Sequence, residues 1–175
     1  MTRLPAAAPA AALATALAAL CALPLAAQPF TPYGQFGGWR VFVNGATQGC
    51  FMEEMQDGLV IQMGTQGGAD FGFIAAYTEG EAGIAQGEEM TVLIEIDGEG
   101  FGGIARGVRR EQADGTLLEG AVTISRSPAF AEALARGRTM RVVADGGNLV
   151  EIDLSGTEAA IRAVRDCQAS LDAQG

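Results

Sequence analysis

Tight-turn dipeptides recur along this chain and leave little room for long helices in its central part. Asn44-Gly45, Asp57-Gly58, Asp97-Gly98, Asp114-Gly115 and Asp145-Gly-Gly-Asn148 each combine residues that tolerate a positive φ. Such pairs reverse an antiparallel strand within a few residues. The segments between them are short, apolar and rich in β-branched or aromatic residues: 39–43, 59–63, 71–77, 90–96, 101–109, 117–124, 140–144 and 149–154. Cys50-Phe51-Met52 begins the strand returning from the first of these turns. In 90–96, Val92, Ile94 and Ile96 fall on one face of an extended chain, with Glu95 and then Asp97 on the other. No long helical pattern separates successive strands, which argues against parallel βαβ units. The expected fold is mainly β. It is an antiparallel β-sandwich or a strongly curved sheet of about eight or nine strands, with two short C-terminal helices.

The helices carry their own marks. Ser127-Pro128 precedes 129–136, so Ser127 can cap the free amides and Pro128 fits the first helical position. Gly137 then reads as a left-handed exit. In the last segment Thr157 is the expected cap, and Ile161, Val164, Cys167 and Leu171 form one apolar stripe. Glu158–Arg162 and Arg162–Asp166 are spaced as i,i+4 pairs on its exposed side. Residues 79–89 read as a loop, and 28–38, rich in Pro and Gly, as an extended lead-in outside any strand or helix.

The first 27 residues run from a charged start at Arg3 through an Ala/Leu stretch, residues 13–25, to small residues before Gln28. That order is the mark of a cleavable signal peptide, so the chain is expected in the periplasm or outside the cell. Leu20 stands where a lipid-modified Cys21 would need a small residue. The remaining 148 residues are enough for one β-rich domain, 39–175, preceded by the lead-in. No transmembrane segment is expected in the mature chain. Its two cysteines, Cys50 and Cys167, are an even pair in an oxidising compartment, for which a disulfide is the default. The bond would pin the last helix to the first hairpin. By loop entropy it would contribute about 4–5 kcal/mol.

Composition removes many chemistries. The chain has no His and no Lys. Triads built on His, imidazole metal ligands, Schiff-base lysines and P-loop lysines are therefore excluded. Net charge is −10, or −11 once Arg3 is removed, which repels nucleic acid and suits a cationic partner. Glu95-x-Asp97-Gly-Glu99-Gly100 places acids at alternate positions, but Arg106 stands where a calcium loop needs a bidentate Glu and no helix leads in. Glu53-Glu54 and Glu88-Glu89 are neighbours on extended chain and point apart, unlike a catalytic carboxylate pair. The Gly-rich stretches 64–68, 80–87 and 98–103 lack the context of a phosphate loop. Trp39 reads as core packing, and the clustered arginines 106, 109, 110 and 136, 138, 141 as partners of the abundant acids. No catalytic residue, metal or cofactor is expected. Glu79, Glu81, Glu88, Glu89, Glu95, Asp97 and Glu99 make a candidate acidic contact loop.

Gly38-Trp39-Arg40-Val41 with Cys50-Phe51-Met52 resembles the invasion-associated locus B family of exported bacterial proteins. So does a C-terminal pattern, Phe130-x-x-Ala133-Leu134-x-x-Gly137-x-x-Met140-x-Val142 followed by Leu154-Ser155-Gly156-Thr157-x-x-Ala160. The matching parts touch both ends of the mature domain. The family's further cysteines, near Val43 and in the centre, are missing, and Cys167 is extra. The resemblance implies a periplasmic or surface-exposed, non-enzymatic β-rich domain and transfers no functional site. The expected function is a non-catalytic exported domain that binds a protein or envelope component. The alternatives are an acidic inhibitor of an extracytoplasmic hydrolase, such as a lysozyme or protease, and a carboxylate-dependent enzyme acting on glycans.

Overall fold

A computed structural model describes residues 30–65, 72–112, 115–145, 147 and 149–174. The expected signal peptide, residues 1–27, lies outside them, as do Asp114, Gly146 and Asn148 of the expected turns. Ten strands among the described residues form one antiparallel sheet. They are β1 Phe30–Phe36, β2 Trp39–Asn44, β3 Gly49–Gln56, β4 Leu59–Thr65, β5 Gly72–Glu79, β6 Glu89–Ile96, β7 Glu99–Glu111, β8 Leu117–Ser125, β9 Thr139–Ala144 and β10 Leu149–Asp153. Helix α1, Pro128–Arg136, precedes β9, and α2, Thr157–Asp172, ends the domain. The sheet order is β1-β2-β3-β4-β5-β8-β7-β6-β9-β10. The fold is thus mainly β with two C-terminal helices, and its strands make one curved, unclosed sheet.

The turn chemistry explains most of the hairpins. Asp57-Gly58 and Asp97-Gly98 both hold two successive positive φ values, as does Gly37-Gly38 between β1 and β2. This is the pattern that matches the twist of a two-residue hairpin. Asn44-Gly45 behaves differently. Asn44 pairs with Gly49, so the loop has four residues between them. The Asn44 side chain accepts from the amides of Ala46 and Thr47, and the left-handed position is Gln48.

Residues 28–38 are not a lead-in outside any strand, because β1 lies within them and pairs with β2. Pro32 is compatible with this strand because β1 is a sheet edge and the register shifts between Pro32 and Gly34. Proline in a sheet belongs at such an edge or bulge.

The curvature has a visible origin. β7 pairs with β8 through Ala105–Glu111 and with β6 through Glu99–Arg106. One long strand therefore hands the sheet from β8 to β6. Residues from β2–β5 and from β6, β9 and β10 then meet in a single core with both helices. Trp39, Met52, Ile61, Met140 and Ile152 are all sealed in it. Two contacts join the distant ends of the sheet. The Gln56 side chain bonds both the amide and the carbonyl of Asp153, and Gly37 lies against Gly156.

Both helix ends depart from the sequence expectation in one respect. Ser127 caps α1 by accepting from the Phe130 amide, as expected. Gly137, however, has φ −68° and is no left-handed exit. A β-carbon there would lie 2.5 Å from Ile96 and 2.9 Å from Leu154, so close packing requires the glycine. Thr157 is not the cap of α2. The left-handed Gly156 precedes the helix, and the buried Thr157 hydroxyl donates to the carbonyls of Leu134 and Leu154.

Candidate functional site

The helix-covered face of the sheet holds Met52 of β3, Met63 of β4 and Ile74 of β5, residues that face one another by register. Above them, α1 contributes Phe130 and Leu134, and α2 contributes Ile161 and Val164. These groups enclose a cavity of about 600 Å³. Its floor is apolar and its solvent side is charged, with exposed Arg126, Arg165 and Asp172.

The position of α2 defines this cavity, and two fixed points set it. Cys50 and Cys167 form the expected disulfide, with both residues buried. The adjacent, buried Gln168 uses its whole amide. Its oxygen accepts from the Cys50 amide at 3.1 Å and the Thr65 hydroxyl at 2.6 Å, and its nitrogen donates to Gln48 O and Asp172 Oδ1. Sequence reasoning missed Gln168. Its only signal is a polar residue beside the apolar stripe of α2, next to Cys167. The stripe itself is buried at Val164 and Cys167 and extends to Ala160 and Ala163.

The candidate acidic residues do not form one loop. Glu79 ends β5, which two strands separate from β6 in the sheet, and Glu81 follows it in the loop. Glu88 and Glu89 stand at the start of β6, whereas Glu95, Asp97 and Glu99 stand at its far end. The strand between them spans roughly 20–25 Å. Several already have partners. Asp97 accepts from the amides of Arg138 and Thr139, Glu88 from that of Ala85, and Glu89 pairs with Arg106. Glu53 and Glu54 turn to opposite faces: Glu53 meets Arg40 and Gln62, Glu54 meets Gln56. No group of three or more acids and cysteines placed to hold a metal occurs among the described residues.

One acid is fully buried. Glu119 of β8 accepts from the amides of Ala82 and Gly83 at 2.8 and 3.1 Å. Arg109 Nε lies 2.8 Å from its other oxygen, an ion pair without hydrogen-bond alignment. Glu119 thereby anchors the β5–β6 loop across β7, where Ile84 and Ala85 sit against Gly107. Trp39 is core, as expected, and its indole donates to Ser155 O.

No helix of the described residues is long and apolar enough to cross a membrane. No protein-family model, curated protein or solved structure matches the chain.

Proposed function

We propose that the chain is a non-catalytic exported domain that binds an envelope component, and that this component places an acyl chain in the cavity between the helices and the sheet. The observation that carries this reading is the cavity itself. Its volume, about 600 Å³, falls within the roughly 300–1,000 Å³ of small-molecule sites. Its floor of Met52, Met63, Ile74, Phe130 and Val164 offers dispersion and burial but no chemistry. Two methionines suit a flexible guest, because their unbranched side chains adapt to irregular shapes. Arg126, Arg165 and Asp172 lie on the solvent side of the cavity. A polar head group fits that edge.

The expected signal peptide and the Cys50–Cys167 disulfide support an exported role, and the resemblance to the invasion-associated locus B family supports a non-enzymatic one. The inhibitor reading is weaker because its acids are divided between the end of β5, the loop after it and the two ends of β6.

A chain-length series tests the proposal. Each methylene buried in such a cavity contributes about 0.8 kcal/mol. Octanoate, decanoate and laurate should therefore bind the disulfide-bonded protein saturably, each tighter than the last. Ala131→Trp, which fills the cavity from α1, should abolish uptake with little change in melting temperature. Binding that ignores chain length, or survives Ala131→Trp, overturns the reading.

A further inference from the structure

The opposite face of the same strands carries a second, smaller hollow. Residues next to those of the first cavity alternate to this side: Phe51 beside Met52, Gln62 beside Met63, Phe73 beside Ile74. Phe30 and Phe51 meet edge to face at 4.9 Å, and Phe73 approaches Phe51 at 6.5 Å. With Tyr77 they line a cavity of about 210 Å³. Arg110 of β7 reaches across to both β1 and β5, with its guanidinium 5.5 Å from the Phe30 ring centre and 5.0 Å from that of Tyr77.

Arg110 differs from its neighbours. Arg106 pairs with Glu89 and Arg109 with Glu119. Arg110 makes no ion pair among the described residues; its contacts are the two ring faces. A guanidinium stacked in this way keeps its edge donors, a fork that matches a carboxylate. Its charge is felt inside the hollow. Burial raises the Tyr77 pKa above its ordinary 10.0, Arg110 opposes that rise, and Glu53 adds to it. Both oxygens of Glu53 are engaged, one by Arg40 and one by Gln62.

We infer that this hollow is a binding site for an aromatic carboxylate, with the ring lodged among Phe30, Phe51, Phe73 and Tyr77 and the carboxylate on Arg110. Size agrees, since a cavity of roughly 150 Å³ accepts benzene, and Asn44, Thr47, Gln62 and Thr65 add polar lining beside the rings. Charge selects against a cation, because Arg110 already covers the ring faces that would attract one. The same chemistry is offered by a free small acid and by the C-terminal residue of a peptide. The site is separate from the acyl cavity and does not depend on it.

The test is an NMR titration of the disulfide-bonded protein with phenylacetate, phenylacetamide and N-acetylphenylalanine. The expected result is saturable shifts at Phe51, Tyr77 and Val108 with the acids and none with the amide. Tighter binding of phenylacetate assigns a free acid, and tighter binding of N-acetylphenylalanine assigns a peptide terminus; either supports the site. Arg110→Gln should weaken binding at least about tenfold, the scale of a charge-assisted hydrogen bond. If that variant fails to fold, Arg110→Lys keeps the charge, removes the planar fork, and should weaken binding several-fold. Equal shifts from acid and amide, no saturation, or unchanged affinity in the folded variants overturns the inference.

Discussion

Gly37 and Gly156 touch where the first hairpin meets the entry to α2, and both have positive φ, 60° and 80°. A β-carbon on either would collide with the backbone of the other. Ala at Gly156 should destabilise the protein by at least the 1–2 kcal/mol or so of a left-handed residue, read as a lower denaturation midpoint. Glu119 makes a second sharp case. Glu119→Gln keeps the shape and loses the charge that two amides and Arg109 face. The expected loss is about 1.5–3 kcal/mol, with amide exchange at Ala82 and Gly83 accelerated above all others. Tyr77 predicts a pH effect. Its folded pKa is raised by burial, so the unfolded chain ionises first. Stability is fully present below pH 10, the ordinary value, and falls as pH rises through the folded value. Chemical denaturation across that window should show this slope in the native protein and lose it in Tyr77→Phe; an unchanged slope counts against the burial argument.

At the scale of elements, α2 depends on the disulfide and on Gln168. The bond closes a span of 117 residues, for which loop entropy gives about 4–5 kcal/mol. Replacing Cys50 and Cys167 by Ser should lower stability by up to that amount. It should also raise amide exchange in α2 before the strands respond, since Gln168 and the buried apolar stripe then hold the helix without a covalent tie. Exchange rising equally in β6 and β7 would show that α2 is not a separable unit.

The elements differed in how legible they were from sequence. β6 was readable because Val92, Ile94 and Ile96 alternate with polar or exposed partners, and α1 because Ser127 and Pro128 mark its start. β1 was not, since its proline and glycine argue against a strand unless its edge position and bulge are known. The Asn44-Gly45 turn was read correctly as a hairpin, but the left-handed position fell on Gln48. Gly137 shows why: a glycine demanded by a neighbour 41 residues away, Ile96, looks the same in sequence as one demanded by its own φ.

At the scale of the whole molecule, the single sheet carries a hollow on each face. The fold class was legible, because turn spacing and alternation are local. The sites were not. Met52, Met63, Ile74, Phe130 and Val164 come from five elements, and nothing local marks Arg110 as an arginine with no ion pair among the described residues. The acidic residues that composition singled out are scattered by the same topology.

The central claim is that the helix–sheet cavity holds an acyl chain of an envelope amphiphile. Native mass spectrometry of the protein recovered from the cell envelope tests it most directly. The account predicts a dissociable adduct with the mass of an acyl compound, lost in Ala131→Trp. A bare, disulfide-intact chain that also takes up no added laurate would contradict it.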